Sequence, residues 1–119
     1  MVSHDTERGL IVADESQIKS FLRDVRDADI IDFVPTDKNR RTRVSIGLTA
    51  YEQEEIVRNL IVEEYFSGPS IDKDPGRTGM VWVFKHKYKN YMLYIKLKEK
   101  IVIEETTIIK CLSIHIDYM

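Results

Sequence analysis

The spacing of apolar residues changes period partway along the chain, following helices up to about residue 61 and strands from residue 80 onward. Asp14 or Ser16 is placed to cap a helix whose apolar positions are Ile18, Phe21, Leu22, Val25 and Ala28, a single stripe at helical spacing. Ile30 to Val34 reads as a short strand ended by Pro35, and residues 37–43 as a solvated basic loop. Thr49 with Glu52 makes a capping-box pattern ahead of Ile56, Val57, Leu60 and Ile61. This predicts a second helix, extended a turn by Val62 to Phe66 and stopped at Gly68-Pro69. Residues 67–79 hold three of the five glycines and two of the three prolines, which predicts an ordered loop.

The second half alternates. Met80 to Phe84 reads as a strand and Lys85 to Asn90 as a polar turn. In Tyr91 to Lys98, the residues Tyr91, Leu93, Ile95 and Leu97 form a core face. Met92, Tyr94, Lys96 and Lys98 then point the other way, to solvent or a cleft. Thr106 to Ile116 is the last strand; strict alternation puts Ile109, Cys111, Ser113 and His115 on one face. The expected fold is α+β, an antiparallel sheet of about four strands with two to three helices packed on one face. Residues 1–13 lack a sustained period and read as a flexible N-terminal arm, with 14–119 as one domain.

Composition narrows the picture. At 119 residues with 43% hydrophobic content the chain can bury one core. Its net charge of -2 argues against a uniformly basic nucleic-acid binder, but the charge is segregated. Residues 37–43 carry four bases and one acid, and residues 85–100 six lysines and one acid, while acids gather at 1–32 and 52–64. A basic face on an acidic protein can attract phosphate or an acidic partner. The lone Cys111, among Ile108, Ile109 and Leu112, reads as a buried strand thiol. It suits a reducing compartment, and with no signal pattern or membrane-length apolar run the expected location is cytoplasmic.

The chemistry-bearing candidates are Tyr94, Lys96 and His115 on neighbouring strands. Together they suit a metal-free phosphodiester site: an imidazole titrating near neutrality moves the proton, and an ammonium stabilises the charge building on phosphorus. Lys96 and Lys98 equally suit an ordinary solvated strand face, and Trp82 between Val81 and Val83 suits the core. Asp72 to Gly76 does not complete a calcium loop, and His4, His86 and His115 lack metal-ligand spacing. No P-loop or Gly-x-Ser-x-Gly is present.

In order, Gly68-Pro69-x-x-Asp72-x-Asp74-Pro75, Trp82-Val83-Phe84, Tyr94-Ile95-Lys96-Leu97-Lys98 and Ser113-Ile114-His115 resemble the MqsR-type mRNA interferase toxins, within the RelE-like type II toxin–antitoxin ribonucleases. Leu48-Thr49 opening a helix toward Glu64-Tyr65 fits the same pattern, so that the similarity covers roughly residues 30–117. The resemblance implies a RelE-like fold and a metal-independent endoribonuclease that needs no cofactor, acts on mRNA and is neutralised by a cognate antitoxin. It gives the catalytic roles to Tyr94, Lys96 and His115; Lys73, Arg77, Lys85 and Lys98 are the bases placed to contact RNA. Two positions depart from the pattern: Phe66 stands where better-known members carry lysine, and Val83 where they carry glutamine. Lys73, Arg77 and Ser67 are the nearest groups to take over. The alternative is a non-catalytic interaction module, or a prophage or defence accessory protein, on the same fold. Neither reading fixes an oligomeric state.

Overall fold

Asp14 is the residue that opens the first helix. Its carboxylate accepts the Gln17 N–H at 2.8 Å while the Gln17 side chain accepts the Asp14 N–H at 3.0 Å, a reciprocal cap. The computed structural model describes residues 3–5, 10–72 and 79–117. Within it helix α1 is Glu15–Asp27, preceded by two short strands, β1 (Ser3–Asp5) and β2 (Leu10–Val12). Strand β3 (Ile30–Phe33), helix α2 (Asp37–Ile46) and helix α3 (Ala50–Arg58) follow, then a 3-10 turn at Val62–Glu64. The rest is sheet: β4 (Tyr65–Ile71), β5 (Met80–Tyr88), β6 (Tyr91–Lys98), β7 (Ile101–Ile103) and β8 (Thr106–Ile116). None of the described helices is long and apolar enough to cross a membrane.

The class is α+β, as the periodicity implies, but the sheet is larger than about four strands and is mixed. Its order is β1-β2-β4-β5-β6-β8-β3, with β7 pairing β8 off that path. The long strands β4, β5, β6 and β8 each run antiparallel to the next; β3 joins β8, and β2 joins β4, in parallel. Val81 to Tyr88 pairs without interruption with Tyr91 to Lys98, so the expected polar turn of Lys85 to Asn90 shrinks to Lys89 and Asn90. Tyr65 to Ile71, expected as helix extension and loop, is a strand whose register against β5 shifts twice. The irregularity centres on Gly68: a Cβ there would meet the Val81 carbonyl oxygen at 2.7 Å.

Residues 37–43 form helix α2 rather than a loop. Thr36 caps it by accepting the Asn39 N–H at 3.1 Å, and Gly47 ends it in the left-handed conformation. Its two buried residues are polar, Asn39 and Thr42, which explains the missing apolar stripe. They serve β8 directly. Asn39 accepts the Ile114 N–H and donates to the Leu112 and Val34 carbonyls, while the Thr42 hydroxyl accepts the Ile116 N–H. Beyond the end of β3, helix side chains thus satisfy a strand edge that would otherwise hold unpaired backbone groups.

The core lies between α1 and one face of the sheet. Phe21 stacks on Trp82 with ring centroids 4.5 Å apart and nearly parallel planes, and Tyr65 meets both Trp82 and Phe84 edge-on. Leu93, Ile95 and Leu97 are fully buried on the expected face of β6. Cys111 is fully buried too, and burial drives its thiol pKa far up, so it is an inert packing group.

The last strand departs from strict alternation. Lys96 pairs with Ser113, but Leu97 pairs with Cys111, so Leu112 is an extra residue in β8. Ile109 and Cys111 therefore share the core face with Ile114 and Ile116, and Ser113 and His115, expected on the face of Ile109 and Cys111, turn outward. The Cys111 thiol donates to the Ser113 carbonyl at 3.3 Å across this bulge.

Candidate active site

The alternation that buries Leu93, Ile95 and Leu97 sends Tyr94, Lys96 and Lys98 to the opposite face of the sheet. Register then builds rows across three strands. Lys85, Tyr94 and His115 stand side by side in one row, and Val83, Lys96 and Ser113 in the next. The bulge at Leu112 brings His115 into this row; without it the imidazole would face the core.

Tyr94 and His115 lie ring on ring, centroids 5.2 Å apart and tilted by 14°. The His115 Nδ1 donates to the Ile116 carbonyl at 3.1 Å, which leaves Nε2 as the nitrogen able to accept a proton. Burial holds the Tyr94 hydroxyl above the ordinary tyrosine range; Lys85 opposes this and Asp117 adds to it. Tyr94 is therefore a protonated hydrogen-bond donor near neutral pH. Lys96 makes no ion pair among the described residues, and sits diagonally from His115, roughly 7–8 Å away at the Cβ level in such a sheet.

The other expected bases stand differently. Lys85 Nζ lies 2.9 Å from Asp117 and 4.0 Å above the Phe66 ring, so its ammonium is held between a carboxylate and an aromatic face. Lys98 Nζ is 3.1 Å from Asp72 in a pair whose side chains are only 11% and 5% exposed. Lys73 and Arg77 lie outside the described residues. Trp82 is core, its indole N–H donating to Glu99 at 3.1 Å, and offers no stacking platform. Phe66 is 55% exposed and carries the Lys85 ammonium over its ring. Val83 is buried beside Lys96.

Sequence reasoning did not foresee Asp117 as a partner of Lys85, nor Ser113 opposite Lys96. Both follow from the β6–β8 register, which the bulge sets and no local motif signals. Among the described residues no group of three or more His, Cys, Asp or Glu is placed to hold a metal ion. No protein-family model, curated protein or solved structure matches this chain.

Proposed function

We propose that the protein is a metal-independent endoribonuclease of the mRNA interferase type, the toxin of a toxin–antitoxin pair. The observation that carries this reading is the stacked Tyr94–His115 pair beside Lys96, which makes no ion pair among the described residues, all on one sheet face. In the reaction His115 Nε2 takes the proton of a ribose 2′-hydroxyl, whose oxygen bonds the adjacent phosphorus. The bond from phosphorus to the 5′-oxygen breaks, leaving a 2′,3′-cyclic phosphate. Tyr94 donates a proton to the departing 5′-oxygen, and Lys96 holds the extra negative charge of the phosphorane. The spacing between Lys96 and His115 suits a phosphate with its flanking ribose, and helix α2, which carries Lys38, Arg40, Arg41 and Arg43, is anchored to the same strand, β8, as His115.

The test is induction of the chain alone in a bacterial host, with growth followed and RNA mapped for new 5′-hydroxyl ends. Growth arrest with ends at a recurring short sequence, both lost in His115→Ala, is the expected result. A second reading, a non-catalytic interaction module, draws on the ion-paired state of Lys85 and Lys98, two of the bases expected to meet RNA. Soluble folded protein that neither arrests growth nor generates new ends would favour it.

A further inference from the structure

A cavity of about 100 Å³ lies between α2, α3 and the segment that follows β3. Its apolar walls are Phe33, Val34, Pro35 and Ile114. Its polar groups come from the two helices: Gln53 on α3, and Asn39, Arg40 and Arg43 on α2.

These polar groups are not equivalent. Asn39 is fully engaged, its amide nitrogen donating to Val34 and Leu112 and its oxygen accepting from Ile114. Arg40 is paired with Asp37. Two groups remain. The guanidinium of Arg43 makes no ion pair among the described residues. Gln53 is only 3% exposed, yet its side-chain amide makes no hydrogen bond there either. Every fully enclosed side-chain nitrogen or oxygen among the described residues has a partner, so the Gln53 amide is one that opens onto the cavity.

We propose that this cavity is a binding site for a small monocarboxylate with a compact apolar body. One uncompensated positive charge, that of Arg43, matches a single negative charge, and a guanidinium grips a carboxylate through two parallel N–H donors. The Gln53 amide N–H supplies a further donor to the same group. The apolar walls take up the stem of the acid, and the volume, on the order of a cavity that holds benzene, limits it to a short branched or single-ring body. Inorganic phosphate fits less well, because a dianion leaves one charge unmatched and covers none of the apolar wall. The site is separate from the Tyr94–Lys96–His115 face and stands whether or not the chain cuts RNA.

The test is titration of the whole chain with isobutyrate and with benzoate, followed by two-dimensional amide NMR, with isobutyramide, benzamide and inorganic phosphate as controls. At least one acid is expected to bind with a Kd of about 1 mM or tighter, shifting the Gln53 side-chain amide and the Ile114 backbone resonances. The matching neutral amide is expected to bind about tenfold or more weakly, as is that acid to Arg43→Gln and to Gln53→Leu. Arg43 is exposed, so Arg43→Gln should fold normally and keeps the test readable if Gln53→Leu does not. Failure of both acids to bind by about 10 mM would overturn the proposal. So would equal binding of the neutral amides, equal binding to Arg43→Gln, or tighter binding of phosphate.

Discussion

The side-chain oxygen of Asn39, on helix α2, accepts the backbone N–H of Ile114, on strand β8, at 3.1 Å. The same amide donates to the Leu112 carbonyl, so one side chain stands in for a missing neighbouring strand. Asn39→Leu should cost about 2–4 kcal/mol, because it leaves a buried N–H and carbonyl without partners. Urea denaturation measures this as a lower midpoint with unchanged slope. A loss below about 0.5 kcal/mol would mean that water or a shifted helix satisfies the edge instead.

Lys96 and Lys98 stand two residues apart on one strand, yet they have different jobs. Lys98 closes a nearly buried pair with Asp72, whereas Lys96 has no ion-pair partner among the described residues. Lys98→Met is expected to lower stability by about 1.5–3 kcal/mol, and Lys96→Met to leave it within about 0.5 kcal/mol. Thermal unfolding of the two variants side by side decides the matter. Equal shifts would contradict the division.

If the chain cuts RNA, His115→Ala and Lys96→Ala should each reduce the rate about 100-fold or more while preserving the far-ultraviolet circular dichroism spectrum. Cleavage of a short RNA by purified protein, free of antitoxin, gives the rate. Full activity in either variant would remove that residue from the mechanism.

The raised pKa of Tyr94 ties stability to alkaline pH. In the unfolded chain the phenol loses its proton in the ordinary tyrosine range, while the folded protein holds it to higher pH. Between those two values the native state binds more protons, so this contribution is fully present below the unfolded pKa and is lost as pH rises through the folded value. Tyr94→Phe should therefore flatten the fall in stability above about pH 10 relative to the unsubstituted chain. Denaturant midpoints measured at neutral pH and at rising alkaline pH test this.

Gly68→Ala is expected to destabilise by about 2 kcal/mol or more. The backbone φ of +114° is one that side-chain-bearing residues rarely adopt, and the added carbon would press on the Val81 carbonyl and on Trp82 Cα at 2.9 Å. Both obstacles are backbone atoms of the paired strand and cannot swing away. An unchanged midpoint would show that β4 can rest elsewhere.

How much of this was legible in the sequence depended on which force spoke locally. The cap of the first helix, narrowed to Asp14 or Ser16, the capping box Thr49–Glu52, the stripe from Ile18 to Val25 and the alternation in β6 all reveal themselves within a few residues. Helix α2 did not, because Asn39 and Thr42 bury polar groups for the benefit of a strand more than 70 residues away. Strand β4 hid behind Gly68-Pro69, a pair that ordinarily signals a turn. The β7–β8 hairpin turns on Glu104 and Glu105, both at positive φ, where glycine or asparagine is the usual marker. Tyr94, Lys96 and His115 emerged as candidates from residue type and order, but the outward direction of His115 depends on the bulge at Leu112, which has no motif of its own.

That bulge makes the length of the last strand matter more than most of its letters. A one-codon deletion at Leu112 would remove the extra residue and leave a regular ladder, with Ser113 and His115 still outward, whereas a one-codon insertion beside the bulge would turn Ser113 and His115 toward the core and Ile114 and Ile116 toward water. Single-residue insertions in the stretch from Cys111 to Ser113 should therefore be far less tolerated than single-residue deletions there, which an in-frame insertion and deletion scan of the gene can read directly.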